Sequence, residues 1–181
     1  MGGVRILEWL APAVPVEGVD WDAVYREEMP RVFNSFLYRG FDRATAEDLT
    51  SATFEKAWRA RDRYRRDRAA VSTWLLAIAR NVAIDHLRRS RPEVPIDDRA
   101  VHEDETPETS ALRDAQSRRL QALLAGLAER ERELLALKYG AGATNRDIAT
   151  ITGLGESNVG TILHRTIGVL RDRWTKEEPS E

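Results

Sequence analysis

Residues 144–165, TNRDIATITGLGESNVGTILHR, are the part of this sequence that most restricts its possible folds. Apolar residues recur at helical spacing on both sides of Gly153, which can end a helix at positive φ. Ser157 can cap the second helix. The buried stripe of that helix would consist of Val159, Ile162 and Leu163. The pattern predicts a helix-turn-helix of the kind that reads DNA; the alternative is an ordinary helical hairpin within a core.

The composition of the whole chain narrows its class further. No segment shows the alternation of a strand, so we expect an all-α fold of one or two small domains in 181 residues. The chain has no cysteine, which excludes disulfides and fits a reducing cytoplasm. No apolar run approaches membrane length, so we expect no membrane insertion.

The sequence offers no recognisable catalytic or metal site. Its three histidines, His86, His102 and His164, stand in unrelated contexts without the ligand spacing of a metal site. A glycine-rich phosphate loop and a nucleophile motif are also missing. We therefore expect no cofactor, no metal and no enzymatic activity.

Charge is segregated along the chain although the net charge is only −2. Residues 59–91 contain ten arginines and three aspartates, and a block of this kind suits phosphate groups. Residues 92–116 contain eight acids and two arginines, with too few apolar residues to offset the entropy of ordering. We expect a basic helical domain followed by an acidic linker.

Helical spacing predicts a first helix over residues 21–39. Asp20 is its candidate N-cap and Gly40 its candidate stop. Pro30 lies inside this helix and predicts a kink or a break.

Two more helices follow before the acidic segment. One begins near Thr45, because Thr45 and Asp48 resemble a capping box. Residues 61–70 are arginine-rich without an apolar stripe and predict a loop or a frayed end. The next helix would be capped by Ser72 and run to about residue 89.

After the acidic segment we expect short helices over residues 118–127 and 129–139, then the helix-turn-helix, ending near residue 174. The chain thus divides into two small helical domains joined by a flexible acidic linker. The predicted parts are an N-terminal arm (1–19), a first domain (20–91), the linker (92–116), a second domain (117–175) and a tail (176–181).

The first domain contains two characteristic strings, AEDLTSATFEKAW and TWLLAIARNVAIDHLRR. Alone, they fit a solvated amphipathic helix equally well. Together with the helix-turn-helix and the acidic linker, they resemble the extracytoplasmic-function (ECF, group 4) sigma factors of bacterial RNA polymerase, in the sigma-70 family. The first domain resembles sigma region 2 and the second resembles region 4.

The resemblance implies that the chain binds core polymerase, through its beta and beta-prime subunits, and promoter DNA. Region 2 would dock on the polymerase clamp through an acidic and aromatic helix face. The residues implied there are Asp48, Leu49, Phe54 and Trp58.

The resemblance also implies that region 2 engages the −10 element as it melts, with a loop over residues 67–72 holding a flipped base. The implied residues are Asn81, Arg80, Arg88, Arg89, Trp74, Asp67 and Ser72. Trp74 is either a core residue or a stacking platform.

In region 4, the second helix of the helix-turn-helix would enter the major groove of the −35 element. The implied contacts are Lys138, Ser157, Asn158, Thr161, His164 and Arg165. Gly160, Ile162 and Gly168 stand where the family often has basic residues or has them nearby, so we expect this helix to bind DNA weakly on its own.

Two further implications concern partners. Glu103, Asp104 and Glu105 would follow the basic RNA-exit path of the polymerase, unless the linker is a plain solvated tether. An anti-sigma factor is the expected regulator. The rival functions are a stand-alone helix-turn-helix regulator, with residues 46–89 as a sensor or dimer domain, and an all-helical enzyme.

Overall fold

The computed structural model describes residues 19–89 and 119–176, and within these ranges it contains helices and no strands. The whole acidic linker, the N-terminal arm apart from Val19 and the C-terminal tail apart from Lys176 lie outside the described residues. No helix in the described ranges is long and apolar enough to cross a bilayer.

Region 20–89 folds into three helices: α1 (Trp21–Tyr38), α2 (Arg43–Ala60) and α3 (Val71–Arg89). The first cap is as predicted, because the Asp20 carboxylate accepts hydrogen bonds from the backbone N–H groups of Asp22 and Ala23. Gly40 follows α1 at φ 94°, a conformation that favours glycine.

Pro30 neither breaks nor divides α1, which is continuous from Trp21 to Tyr38. A proline inside a helix removes one backbone hydrogen bond. Val32 and Phe36, on the turns that follow, are almost fully buried. The packing of these two side chains stabilises α1 and offsets the hydrogen bond that Pro30 removes.

Two predicted caps are misplaced by a few residues. Asp42, rather than Thr45 with Asp48, caps α2, because its carboxylate accepts from the Thr45 N–H at 2.8 Å. Helix α3 already includes Ser72, since the Trp74 N–H bonds to the carbonyl of Ala70. A short 3₁₀ turn, Arg61–Arg63, begins the segment predicted as a loop or frayed end.

The second domain contains a helix over residues 119–125 (α4), α5 (Glu129–Leu135), α6 (Asn145–Thr152) and α7 (Glu156–Lys176). Helix α5 continues into a π-helical turn, Ala136–Gly140. In that turn the Ala141 N–H bonds to the Ala136 carbonyl at 3.0 Å. Ala136 and Leu137 of this turn are buried.

Helices α6 and α7 form the predicted helix-turn-helix. Gly153 ends α6 at φ 75°, as predicted. Ser157 lies inside α7 rather than capping it, because the Val159 N–H bonds to the Gly155 carbonyl. The predicted buried stripe is present in Val159 and Leu163, with Ile162 half-buried.

The two domains share one hydrophobic core instead of standing apart. A single buried cluster joins Val32, Phe36 and Leu76 of the first domain to Leu134 and Ile148 of the second. A smaller cluster of Ala57, Tyr64, Trp74 and Leu75 lies within the first domain. Helix α1 packs against the π-helical turn and α3 packs against α6, so the domain contact involves two of the three helices of the first domain.

Candidate nucleic-acid and polymerase interfaces

Helix α7 presents a polar face to solvent opposite its buried stripe. All five predicted −35 residues on this helix are exposed: Ser157, Asn158, Thr161, His164 and Arg165. Among the described residues, the Arg165 guanidinium pairs with one carboxylate, that of Glu131 at 3.3 Å on the surface. Such exposed pairs hold a side chain weakly, so Arg165 is available to a partner.

Helix α6 is fixed at its start by a reciprocal cap that the sequence analysis missed. The Asp147 N–H donates to the Thr144 hydroxyl, and the Thr144 N–H donates back to the Asp147 carboxylate, both at 3.1 Å. The T-x-x-D spacing was the available signal. Burial alone would raise the pKa of Asp147, but hydrogen bonds from Thr144 and Thr73 lower it overall.

The predicted −10 residues are spread along α3 and the loop before it. Ser72 and Arg89 are separated by about 26 Å of helix at 1.5 Å per residue. Arg88 and Arg89 are exposed at its end, while Asn81 is half-buried. The set therefore has the length of several nucleotides but does not form one compact pocket.

The loop that precedes α3 is braced from within. Tyr64 is buried in an aromatic cluster, 6.1 Å from the ring of Trp21 and 5.2 Å from that of Trp74. Its hydroxyl donates to the Ala69 carbonyl at 3.1 Å, and burial raises its pKa. Tyr64 was not among the predicted site residues, although an aromatic residue in an otherwise arginine-rich stretch was a usable signal.

Two predicted −10 residues are already engaged within the protein. Trp74 is 6% exposed, which fits the core interpretation rather than a stacking platform. The Asp67 carboxylate makes two hydrogen bonds with Arg65 at 3.0 Å, and the Arg65 guanidinium lowers the pKa of Asp67. Because Asp67 is itself exposed, this pair holds its side chain only weakly.

The predicted polymerase-binding face on α2 is aromatic and largely exposed. Trp58 is 54% exposed, with the Arg61 guanidinium 4.1 Å from its ring centroid. Phe54 is half-buried and stacks edge-on against Tyr25 at 4.8 Å. Asp48 is exposed, but Leu49 is 5% exposed and lies in the core, where helical spacing aligns it with Ala46. We therefore remove Leu49 from this face.

The remaining predicted site residues are either half-buried or outside the described residues. Lys138 lies half-buried on the π-helical turn. Glu103, Asp104 and Glu105 lie outside the described residues. Within the described ranges, no group of three histidine, aspartate or glutamate side chains is arranged to hold a metal ion.

Comparison with known proteins decides the family. The Sigma-70 region 2 model matches residues 24–93, and the Sigma-70, region 4 model matches residues 117–167. The chain belongs to the sigma-70 family. It is a sigma factor of the ECF type, the class of alternative sigma factor that directs transcription initiation.

Curated relatives agree with this assignment. The ECF RNA polymerase sigma factor BldN of Streptomyces coelicolor is 26% identical over 92% of this sigma factor, which spans 64% of BldN. The ECF sigma factor RpoE of Cereibacter sphaeroides is 29% identical, with 78% of this chain and 77% of RpoE covered. SigM of Bacillus subtilis is 28% identical, with 80% and 88% covered.

Solved structures share the fold. The sigma factor RpoE of Bartonella quintana, in complex with the anti-sigma factor NepR, superposes with a TM-score of 0.69 at 21% identity. The match covers 88% of this sigma factor and 99% of that chain. CnrH, in complex with the cytosolic domain of CnrY, gives a TM-score of 0.63 at 22% identity, covering 87% of both chains.

Proposed function

We propose that this sigma factor binds core RNA polymerase through region 2 and directs initiation by recognising a −35 duplex and melting a −10 element. Residues 20–91 act as region 2, residues 92–116 as the linker and residues 117–175 as region 4. One observation carries the proposal: α7 exposes a continuous polar face in a chain that also carries region 2.

In region 4, α7 enters the major groove, which is about 12 Å wide and admits a helix. Asn158 and Arg165 are the principal candidates for base edges, because amide and guanidinium groups form paired hydrogen bonds with purines. Ser157, Thr161 and His164 contact bases or phosphates beside them. Lys138 contributes positive charge from the neighbouring turn.

In region 2, Arg88 and Arg89 bind the backbone of the −10 strand, and Asn81 contacts the strand as it separates. Arg80 is a further phosphate ligand once it is accessible. The loop over residues 67–72 receives the flipped base. Stacking and phosphate contacts offset the few kcal/mol that extruding a base costs.

Trp58, Phe54 and Asp48 form the surface that grips the polymerase clamp. Trp58 is 54% exposed, and a tryptophan that becomes buried at an interface is typical of residues that dominate binding energy. The same surface suits an anti-sigma factor that would exclude polymerase. We place this function in the cytoplasm, with the catalysis performed by the polymerase and none by the sigma factor.

The decisive experiment is gel filtration of the chain with core polymerase, followed by run-off transcription on a genomic promoter library. We expect co-elution and discrete transcripts. Failure to co-elute contradicts the proposal and favours a stand-alone helix-turn-helix regulator.

The Trp58→Ala variant tests the polymerase-binding face. We expect the apparent Kd for core polymerase to rise at least tenfold, because truncating such an anchor costs about 2 kcal/mol or more. The thermal midpoint should stay nearly unchanged, since Trp58 is 54% exposed. Glu55→Gln, an exposed position on the same helix, is the matched control; equal loss in both variants would refute a specific role.

A further inference from the structure

A single carboxylate of region 4 lies between two arginines of region 2 and contacts both. The Glu133 side chain, on α5, is 9% exposed. Its Oε1 lies 3.0 Å from Nε of Arg80 on α3 and 3.3 Å from Nη2 of Arg39, the residue that follows α1. Arg39 is also held by Glu129, at 2.6 Å. Glu133 therefore occupies the guanidinium that we assign to a −10 phosphate.

The contact leaves Arg80 incompletely satisfied. Its Nε is buried and has no well-aligned hydrogen bond, although the carboxylate oxygen is 3.0 Å away. Buried polar atoms are usually hydrogen-bonded, and an unmet donor is costly. A ligand with better-directed oxygens, such as a phosphate, would satisfy this donor more fully than Glu133 does.

The rest of the interface is closely fitted. A Cβ added at Gly140 would lie 2.8 Å from the backbone oxygen of Asn34, so α1 approaches the π-helical turn only because that residue is glycine. Arg31 Nε donates to the Ala141 carbonyl at 2.8 Å. The Thr73 hydroxyl donates to Asp147 at 3.0 Å.

This arrangement differs from the one that a promoter requires. The names of the −35 and −10 elements place them about 25 base pairs apart, which is about 85 Å of duplex at 3.4 Å per step. Two small domains in direct contact do not span that distance. The domains must separate before both elements are bound.

We propose that Glu133 competes with DNA phosphate for Arg80 and thereby holds the free chain closed. The inference rests on the proposed function, because it takes Arg80 as a −10 contact. When the domains separate, the carboxylate leaves the guanidinium and the −10 strand replaces it. Binding to polymerase and promoter must then offset the loss of the domain interface.

The first test measures the distance between the domains in the free full-length chain. Because the sequence has no cysteine, S51C and T150C provide unique dye positions on exposed residues of α2 and α6. We expect energy transfer to fall in Glu133→Gln, which removes the charge, and in Gly140→Ala, which inserts a methyl group at the closest backbone contact. Far-ultraviolet circular dichroism verifies that both variants remain helical.

Matched controls accompany each variant. Glu55→Gln removes a carboxylate from an exposed pair within α2, and Gly168→Ala adds a methyl group where no atom lies within 4 Å. Both should keep the wild-type energy transfer. The proposal is overturned if Glu133→Gln and Gly140→Ala also keep it.

The second test measures competition with phosphate. The probe is a fluorescent single-stranded DNA of random sequence, about 12 nucleotides long. We expect Glu133→Gln to bind it about fivefold more tightly at about 0.1 M salt, the gain for one added phosphate contact. The gain should vanish when Arg80→Ala is added. No gain, or a gain that persists without Arg80, refutes the competition. Both tests use free protein, so they are independent of co-elution with polymerase.

Discussion

Single residues at helix ends and loops determine how the proposed DNA-binding elements are held. Asp42 is an example, since Thr45 donates to its carboxylate from both the backbone N–H and the hydroxyl, at 2.8 Å and 2.7 Å. These hydrogen bonds, the backbone one first, hold the pKa of Asp42 below its usual range. The start of α2 therefore depends on an ionised carboxylate.

Asp42→Ala should lower the free energy of unfolding by about 1 kcal/mol, the usual loss for an N-cap. Since the pKa is lowered in the folded state, the stabilisation is present above the ordinary value of 3.8 and disappears as the pH falls through the folded-state pKa. Urea unfolding at neutral and acidic pH measures both effects. A difference between variant and wild type that persists at low pH would contradict this account.

Tyr64→Phe should loosen the loop before α3 without disturbing the aromatic cluster, because it removes only the hydroxyl that bonds to Ala69. A hydrogen bond of this kind contributes about 1 kcal/mol, so we expect open-complex formation to slow about fivefold. Permanganate footprinting of the −10 region measures the rate. Core binding should be unchanged, and a loss there instead would show that Tyr64 acts on the fold in general.

At the scale of elements, α7 has a well-packed buried face but contains two glycines, which are poor helix formers. Gly160 and Gly168 both lie within it, and neither has a positive φ that would require glycine. A Cβ at Gly160 would meet only Asn145 Nδ2 at 3.5 Å, an ordinary contact. The helix is therefore held by packing rather than by intrinsic propensity.

Gly160→Ala should raise the free energy of unfolding by about 0.5–1 kcal/mol, the usual propensity difference between the two residues. Thermal unfolding of the full chain measures it. Gly142→Ala is a contrasting variant, because its φ of 65° makes alanine strained even in open space. Equal effects at the two positions would contradict the explanation.

The element level also shows what the sequence could and could not predict. Apolar spacing predicted the helices, and Asp20, Gly40 and Gly153 were assigned correctly because local chemistry determines such ends. The starts of α2, α3 and α7 were misplaced because several neighbouring residues could cap each helix, and tertiary packing selects among them. Leu49 was assigned to the polymerase-binding face, but it is 5% exposed. It shares the buried side of α2 with Ala46, and the sequence alone did not distinguish this side from the exposed one.

On the scale of the whole molecule, the contact between the domains had no visible signal in the sequence. Arg39 and Glu133 are almost fully buried, although charged residues are expected at surfaces. No periodicity identifies which outer faces of two domains will meet. Only their joint three-dimensional arrangement brings Arg39, Arg80 and Glu133 together.

Region 4 expressed alone, as residues 117–176, should melt at a lower temperature than the full chain. Its separation uncovers Leu137 and Ile148 of the shared core. We also expect it to bind its −35 duplex no better than about the micromolar range of non-specific binding, because α7 has few positive charges. Differential scanning calorimetry and fluorescence anisotropy test the two points, and a tight sequence-specific complex would contradict the second.

The missing side chain at Gly140 has a consequence for the exchange of parts between sigma factors. A chimera that joins this region 2 to the region 4 of a relative with a larger residue there would retain both recognition surfaces. It would nevertheless lose the fit against the backbone of Asn34, which depends on the two parts as a pair. Such a hybrid would recognise both promoter elements, but its two domains would not be held together in the free protein. We therefore expect it to differ from its parents in background transcription more than in promoter choice.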